Sequence, residues 1–238
     1  MIVPLSTERF IRWLVGEIGS PPVRGPPVLR PEVAAPREAV MSAASLGWAA
    51  VVTSPNAVDV LSSELPRPLL LRALSRTIAI GPMTAEAVRD AVPGASIRVP
   101  ESHDSGSLIS SLAGGERYVL WCSDRVDPAL SAAVEGSGGV VVRLYGLKVD
   151  ARAADEIRRS LAPGDLLVFA SASSVEAWRR VGDGLDVRVR AATISGRVTR
   201  ALGYDPRISS LSTFGGGDMR KFPRFLREAY GAGRGNED

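Results

Sequence analysis

Short apolar runs alternate along this chain with stretches in which apolar residues return every three or four positions, and Ser-, Gly- or Pro-rich segments separate the two. The first pattern predicts buried strands and the second predicts helices with one apolar face. Residues 2–5 read as a strand. After it Phe10, Ile11, Leu14 and Ile18 share a helical face, with Ser6 or Thr7 placed to cap the helix and Gly19 to stop it. Residues 20–36 hold Pro21, Pro22, Pro26, Pro27, Pro31 and Pro36, which forbid a helix and leave an extended connector. Strands are then expected at 48–53, 77–80, 96–99, 118–122 and 139–144, with helices at 36–46, 56–63, 84–91, from 105, and at 128–135. Residues 145–149 read as a return connector. The pattern restarts with a helix at 155–161 and a strand at 166–170, and ends in a basic helix around 223–230 and a polar tail, 231–238, expected to lack order.

Two parts of this pattern are nearly the same. Residues 49–61, AAVVTSPNAVDVL, are followed by TIAIGPMTAEAV at 77–88; residues 165–178, DLLVFASASSVEAW, are followed by AATISGRVTRAL at 191–202. Each copy is strand, Ser-rich loop and helix, then strand, loop and helix again, at nearly equal spacing. That implies an internal duplication of an α/β half. Strands alternating with helices build parallel, helix-covered sheets. The expected fold is therefore α/β, with two doubly wound parallel-sheet domains joined by a two-stranded β hinge. Counting the first strand and helix with the C-terminal half gives one domain of residues 1–32 with 148–238 and another of residues 33–147.

Composition narrows the class. A hydrophobic content of 45% and mean hydropathy of +0.08 are ample for buried cores, and no apolar run approaches a membrane span. The start of the chain lacks the tripartite pattern of a secretory signal, and a single cysteine leaves no disulfide framework. A reducing, cytoplasmic setting is expected. The net charge of +3 is carried almost wholly by arginine, because Lys148 and Lys221 are the only lysines. That suits an anionic small ligand, and there is none of the clustered basic and aromatic character that nucleic acid demands. Neither nucleic acid nor membrane is an expected partner.

The ordered set VVTSPNAV (51–58), IAIGPMTAEAV (78–88) with RVPESHDSGSLISSL (98–112), YVLWCSDR (118–125), GGVVVRLYGLKV (138–149) and LLVFASASSVEAW (166–178) resembles the uroporphyrinogen-III synthase family over almost the whole chain. The resemblance implies two α/β domains on a two-stranded ladder with substrate between them. It also implies a substrate, hydroxymethylbilane, that carries eight carboxylates. That chain loses its terminal hydroxyl to give an azafulvene, the far pyrrole attacks through its substituted carbon, and the spiro intermediate reopens and recloses with the last ring inverted. Water leaves and nothing is oxidised, so no cofactor is expected. A monomer is expected, with transient contact to the upstream synthase. Two departures stand out: ISGRVTRAL has Val198 where the family carries a threonine, with Thr199 one place later, and IVPLSTE lacks the arginine that often closes the first strand.

The implied chemistry needs both ends of a flexible polyanion held together, an effect worth up to about 7 to 11 kcal/mol. Hydroxyls and free N–H groups at helix starts suit its carboxylates. The candidate holders are Ser54, Asn56, Thr84, Ser171, Ser173, Ser174 and Thr199. The family places a functional tyrosine at the strand end that is Tyr145 here, and a phenol can donate to the departing hydroxyl. Each also has a plain structural reading, as a helix cap for the hydroxyl residues and as hinge packing for Tyr145. His103, the only histidine, is expected at the surface, and Cys122 buried and inert. Gly215, Gly216 and Gly217 read as a connector, and no metal-ligand spacing is present. Two rival functions remain: a two-lobed receptor for an anionic small molecule, and a nucleotide-sugar or dinucleotide enzyme, which lacks a glycine fingerprint here.

Overall fold

The computed structural model describes residues 1–20, 22–112, 114–215 and 218–232. Gly216, Gly217 and most of the expected disordered tail therefore lie outside the described residues. The chain divides into two compact units, Met1–Arg30 with Leu147–Asp238, and Pro31–Gly146.

The first unit is built on β1 (Ile2–Pro4), β8 (Leu166–Phe169), β9 (Val189–Thr193) and β10 (Ile208–Thr213), hydrogen-bonded in that order and all parallel. Alternate residues of each strand enter opposite cores. Ile2, Leu166, Val168 and Ala192 pack under α1 (Glu8–Ile18) and α11 (Phe222–Gly231). Val3, Leu5, Leu167, Phe169 and Ala191 pack under α8 (Ala151–Ser160), α9 (Ala172–Val181) and α10 (Gly196–Leu202). Both faces are covered, as a parallel sheet requires.

The second unit orders its strands as β2 (Leu29–Val33), β7 (Val140–Val149), β6 (Tyr118–Ser123), β3 (Ala49–Val52), β4 (Arg76–Ala79) and β5 (Ser96–Arg98). The pairs from β7 to β5 are parallel. Ala49, Val51, Ile78, Leu120 and Cys122 form a core with α6 (Ser105–Ser110) and α7 (Pro128–Gly136). The alternate residues Ala50, Val52, Ala79 and Trp121 are equally buried beneath the opposite layer, where α3 (Pro55–Glu64) packs on α5 (Pro82–Ala91) and α2 (Arg37–Ser45) on α4 (Arg67–Leu74). No helix among the described residues is long and apolar enough to cross a membrane.

Several elements differ from the sequence reading. β7 does not stop at residue 144: it continues through Tyr145 to Val149, so the expected return connector is strand. α8 starts at Ala151 because Asp150 caps it, its carboxylate accepting the Ala153 N–H at 3.0 Å. β10 carries mostly exposed Ser and Thr, and its identity as a strand comes from pairing with β9 rather than from an apolar pattern. β2 holds Pro31, which an edge strand tolerates. α4 has no counterpart in the sequence reading.

Candidate active site

In a parallel sheet every strand delivers its following loop to the same edge, and ligands bind where neighbouring strands send their helices to opposite faces. In the second unit that happens between β3, followed by α3, and β6, followed by α7. Ser54 ends the β3 loop in extended geometry and caps α3, its Oγ accepting the Asn56 N–H at 3.2 Å. Asp127 caps α7 in the same way, accepting from the Ala129 N–H at 2.9 Å.

Tyr145 reaches this point through a bulge. Along β6 and β7, Cys122 pairs with Arg143 but Ser123 pairs with Tyr145, so Leu144 is the extra residue. In a regular strand Arg143 and Tyr145, two positions apart, would share a face. With the bulge, Arg143 is exposed, whereas the phenol is buried and feels the side chains of Ser54 and Asn56. Bulges re-aim side chains in this way. Burial pushes the Tyr145 pKa above its ordinary value of 10, against the opposing pull of the Ser54 and Asn56 side chains. The phenol is therefore a proton-bearing donor throughout the neutral range. The Tyr145 carbonyl accepts the Asp124 N–H at 2.8 Å, and the Asp124 carboxylate lies so close over Gly146 that a Cβ there would meet Oδ2 at 3.1 Å. Cys122 is fully buried, and desolvation raises its thiol to about 12, which matches an inert core residue.

One strand further on, Gly81 stands at the N-cap of α5, Pro82 at the first position and Thr84 at the third. Thr84 is 2% exposed, and its hydroxyl has no hydrogen-bond partner among the described residues. His103 is not a bare surface residue: its ring packs on Gly81, where a Cβ would lie 3.3 Å from its Cγ.

In the first unit Ser171 caps α9. Its Oγ accepts the Ser174 N–H at 3.3 Å and pairs with the Ser174 Oγ at the same distance. Ser173 and Ser174 are buried. Thr199 is engaged by its neighbours, at 2.5 Å from the Thr193 hydroxyl and 2.8 Å from that of Thr213. Val198 turns into the core beneath α9. The far end of α9 is pinned by Trp178, whose indole N–H donates to Asp205 at 2.7 Å while Arg207 grips the same carboxylate at 2.6 and 2.8 Å. The Arg207 hydrogen bonds lower Asp205 to about 2.

The structure thus brings Ser54, Asn56 and Tyr145 together, and places Thr84 on the same sheet edge. It groups Ser171, Ser173 and Ser174, and sets Thr199 in a separate hydroxyl cluster. The sequence reading passed over Thr193, Thr213 and Asp124; only Thr193, inside the repeated AATI segment, carried a signal that could have found it.

A family model described as uroporphyrinogen-III synthase HemD matches residues 27–206. The chain belongs to the uroporphyrinogen-III synthase family. It is accordingly an enzyme of tetrapyrrole synthesis acting on a small-molecule substrate. Its fold is similar to that of a mutant uroporphyrinogen III synthase from the extremely thermophilic bacterium Thermus thermophilus, with a TM-score of 0.57 at 19% identity over 97% of each chain. The wild-type native crystal form from the same organism aligns with a TM-score of 0.47 at 20% identity, over 97% of this chain and 96% of that one. A search of curated proteins finds no match.

Proposed function

We propose that the chain cyclises hydroxymethylbilane to uroporphyrinogen III, with Tyr145 assisting departure of the terminal hydroxyl. The observation that carries this reading is the buried phenol of Tyr145, turned by the β7 bulge towards Ser54 and Asn56 at the β3/β6 crevice. As the C–O bond breaks, negative charge gathers on the leaving oxygen, and a phenol held in place can donate to it; acid assistance of this kind is worth roughly a hundred- to ten-thousandfold in rate. Ser54 and Asn56 orient the phenol, and the N–H groups at the start of α3 receive a neighbouring carboxylate.

The remaining carboxylates are held without charged side chains. Thr84 offers its hydroxyl beside the first turn of α5, and Ser171, Ser173 and Ser174 line the first turn of α9. Thr199 takes part by holding the rim through Thr193 and Thr213. The two halves, residues 1–32 with 148–238 and residues 33–147, each supply part of this set. The enzyme works as a cytoplasmic monomer supplied by the upstream synthase. In the decisive experiment hydroxymethylbilane is generated in situ, the products are oxidised and the uroporphyrin isomers are separated. Predominant type III supports the reading, and type I alone, as in spontaneous cyclisation, overturns it.

A further inference from the structure

Hydroxyl donors that the fold leaves unused are the ones a ligand can take, and in the first unit they gather where β1 and β8 end. Pro4 lies opposite Val168, and the Leu5 N–H prolongs the ladder to the Val168 carbonyl at 3.0 Å. Carrying that register forward sets Ser6 beside Ala170 and Thr7 beside Ser171. There the chain parts: α1 runs to the face of Ile2 and Val168, and α9 to the face of Leu5 and Phe169. Such a parting opens a crevice beyond the strand ends, flanked by two helix N-termini with outward N–H groups. Ser6, Thr7 and Ser173 are only 6%, 7% and 6% exposed. Thr7 occupies the N-cap position of α1 without making the cap bond. Among the described residues none of these three side chains has a hydrogen-bond partner. A hydroxyl with no protein acceptor keeps its proton for a ligand oxygen, which can take it without breaking a bond of the fold.

A second parting, between β9 with α10 and β10 with α11, has the opposite character. Its hydroxyls, on Thr193, Thr199 and Thr213, point their protons at one another or at the Ser195 carbonyl, 3.3 Å from the Thr199 oxygen. Those three hydroxyls have no proton left to offer.

The geometry points to the β1/β8 crevice as a carboxylate subsite, in which Ser6 and Thr7 join Ser173 and the first-turn N–H groups of α1 and α9 around one carboxylate of the substrate. The one acidic residue in the first turn of α1, Glu8, is paired with Arg12 at 2.6 Å, and both are exposed. This assignment rests on the synthase reading and adds to it two residues at the end of the first strand.

The double variant Ser6→Ala/Thr7→Val tests it, with hydroxymethylbilane generated in situ for turnover and uroporphyrin III, the oxidised product, for direct binding by fluorescence titration. KM and the uroporphyrin III Kd are expected to rise together by about tenfold or more, with kcat nearly unchanged. Ser160→Ala, at the C-terminal end of α8 where the hydroxyl donates to the Ile157 carbonyl at 2.9 Å, is expected to leave both constants as they are. A double variant that binds uroporphyrin III like wild type, or an equal loss at Ser160→Ala, overturns the subsite. If the double variant does not fold, Thr7→Ser against Thr7→Val decides: equal affinities overturn the subsite, and a loss confined to Val supports it. Wild-type protein that yields only type I product sinks the synthase reading itself, whereas type III product with unchanged affinity in the double variant sinks only the subsite.

Discussion

The rims of the two units share a backbone and differ in the side chains set on it. Ser54 and Ser171 take the same extended N-cap geometry, with φ of −163° and −164°, and each accepts an N–H from the first turn of its helix. Gly81 and Ser195 repeat the match at −168° and −162°. The chemistry parts at the third helical residue, which is Thr84 in α5 and Val198 in α10. Thr84 is buried with its hydroxyl unclaimed; Val198 is 3% exposed and belongs to the apolar core, and the adjacent Thr199 is held by Thr193 and Thr213. Ser54 adjoins a phenol, whereas its counterpart Ser171 adjoins Ser174. A duplicated backbone therefore supplies two similar helix-start rims, and single side chains make them differ: a buried phenol beside one and a hydroxyl pair beside the other.

The largest expected effect tests whether reactivity resides in one unit. Tyr145→Phe should lower kcat for type III formation by about a hundredfold or more while leaving uroporphyrin III affinity near wild type; a kcat within threefold of wild type would show that the second unit is no more reactive than the first. The activity of the wild type should not fall on the alkaline side until above the ordinary tyrosine value of 10, because burial raises this phenol.

Next in size is the Asp205 anchor at the far end of α9 in the first unit. Asp205→Ala breaks the Trp178 and Arg207 bonds and should destabilise the protein by about 2 to 3 kcal/mol, read by urea unfolding. Because the Asp205 pKa is lowered from 3.8 to about 2 in the folded chain, its contribution is fully present above pH 4 and is lost as the pH falls towards 2. The variant should therefore show a shallower loss of stability than wild type across that window, and parallel curves would disprove the linkage.

Exchanging the third residues sharpens the comparison directly. Val198→Thr puts a hydroxyl into the core beneath α9 and should destabilise by about 1 to 2 kcal/mol without improving affinity for uroporphyrin III. Thr84→Val, close to isosteric, should raise KM by about tenfold with little change in melting temperature. If Val198→Thr tightened binding instead, the two rims would be interchangeable.

The parts of this fold that were legible in sequence are those whose cause is local. Residues 49–52 and 166–169 are continuous apolar runs between polar loops, and the Ser and Asp caps sit where the period changes. β10 was not legible, because ISSLST has no apolar alternation and becomes a strand only when β9 is beside it. The extension of β7 was hidden for a related reason: Tyr145 follows Leu144 in a run that reads equally well as a connector.

The amino-acid sequence by itself determined the α/β class, the repeated strand, loop and helix units and the small hydroxyl residues at their helix starts, since spacing and capping act within a few residues. Tertiary structure alone decided which hydroxyls remain available. Thr199 is satisfied by Thr213, fourteen residues on, and Tyr145 meets Ser54 only because a bulge against β6 turns it. Hydrogen-bond partners of this kind are set by the register between strands far apart in the chain, and no local pattern encodes them.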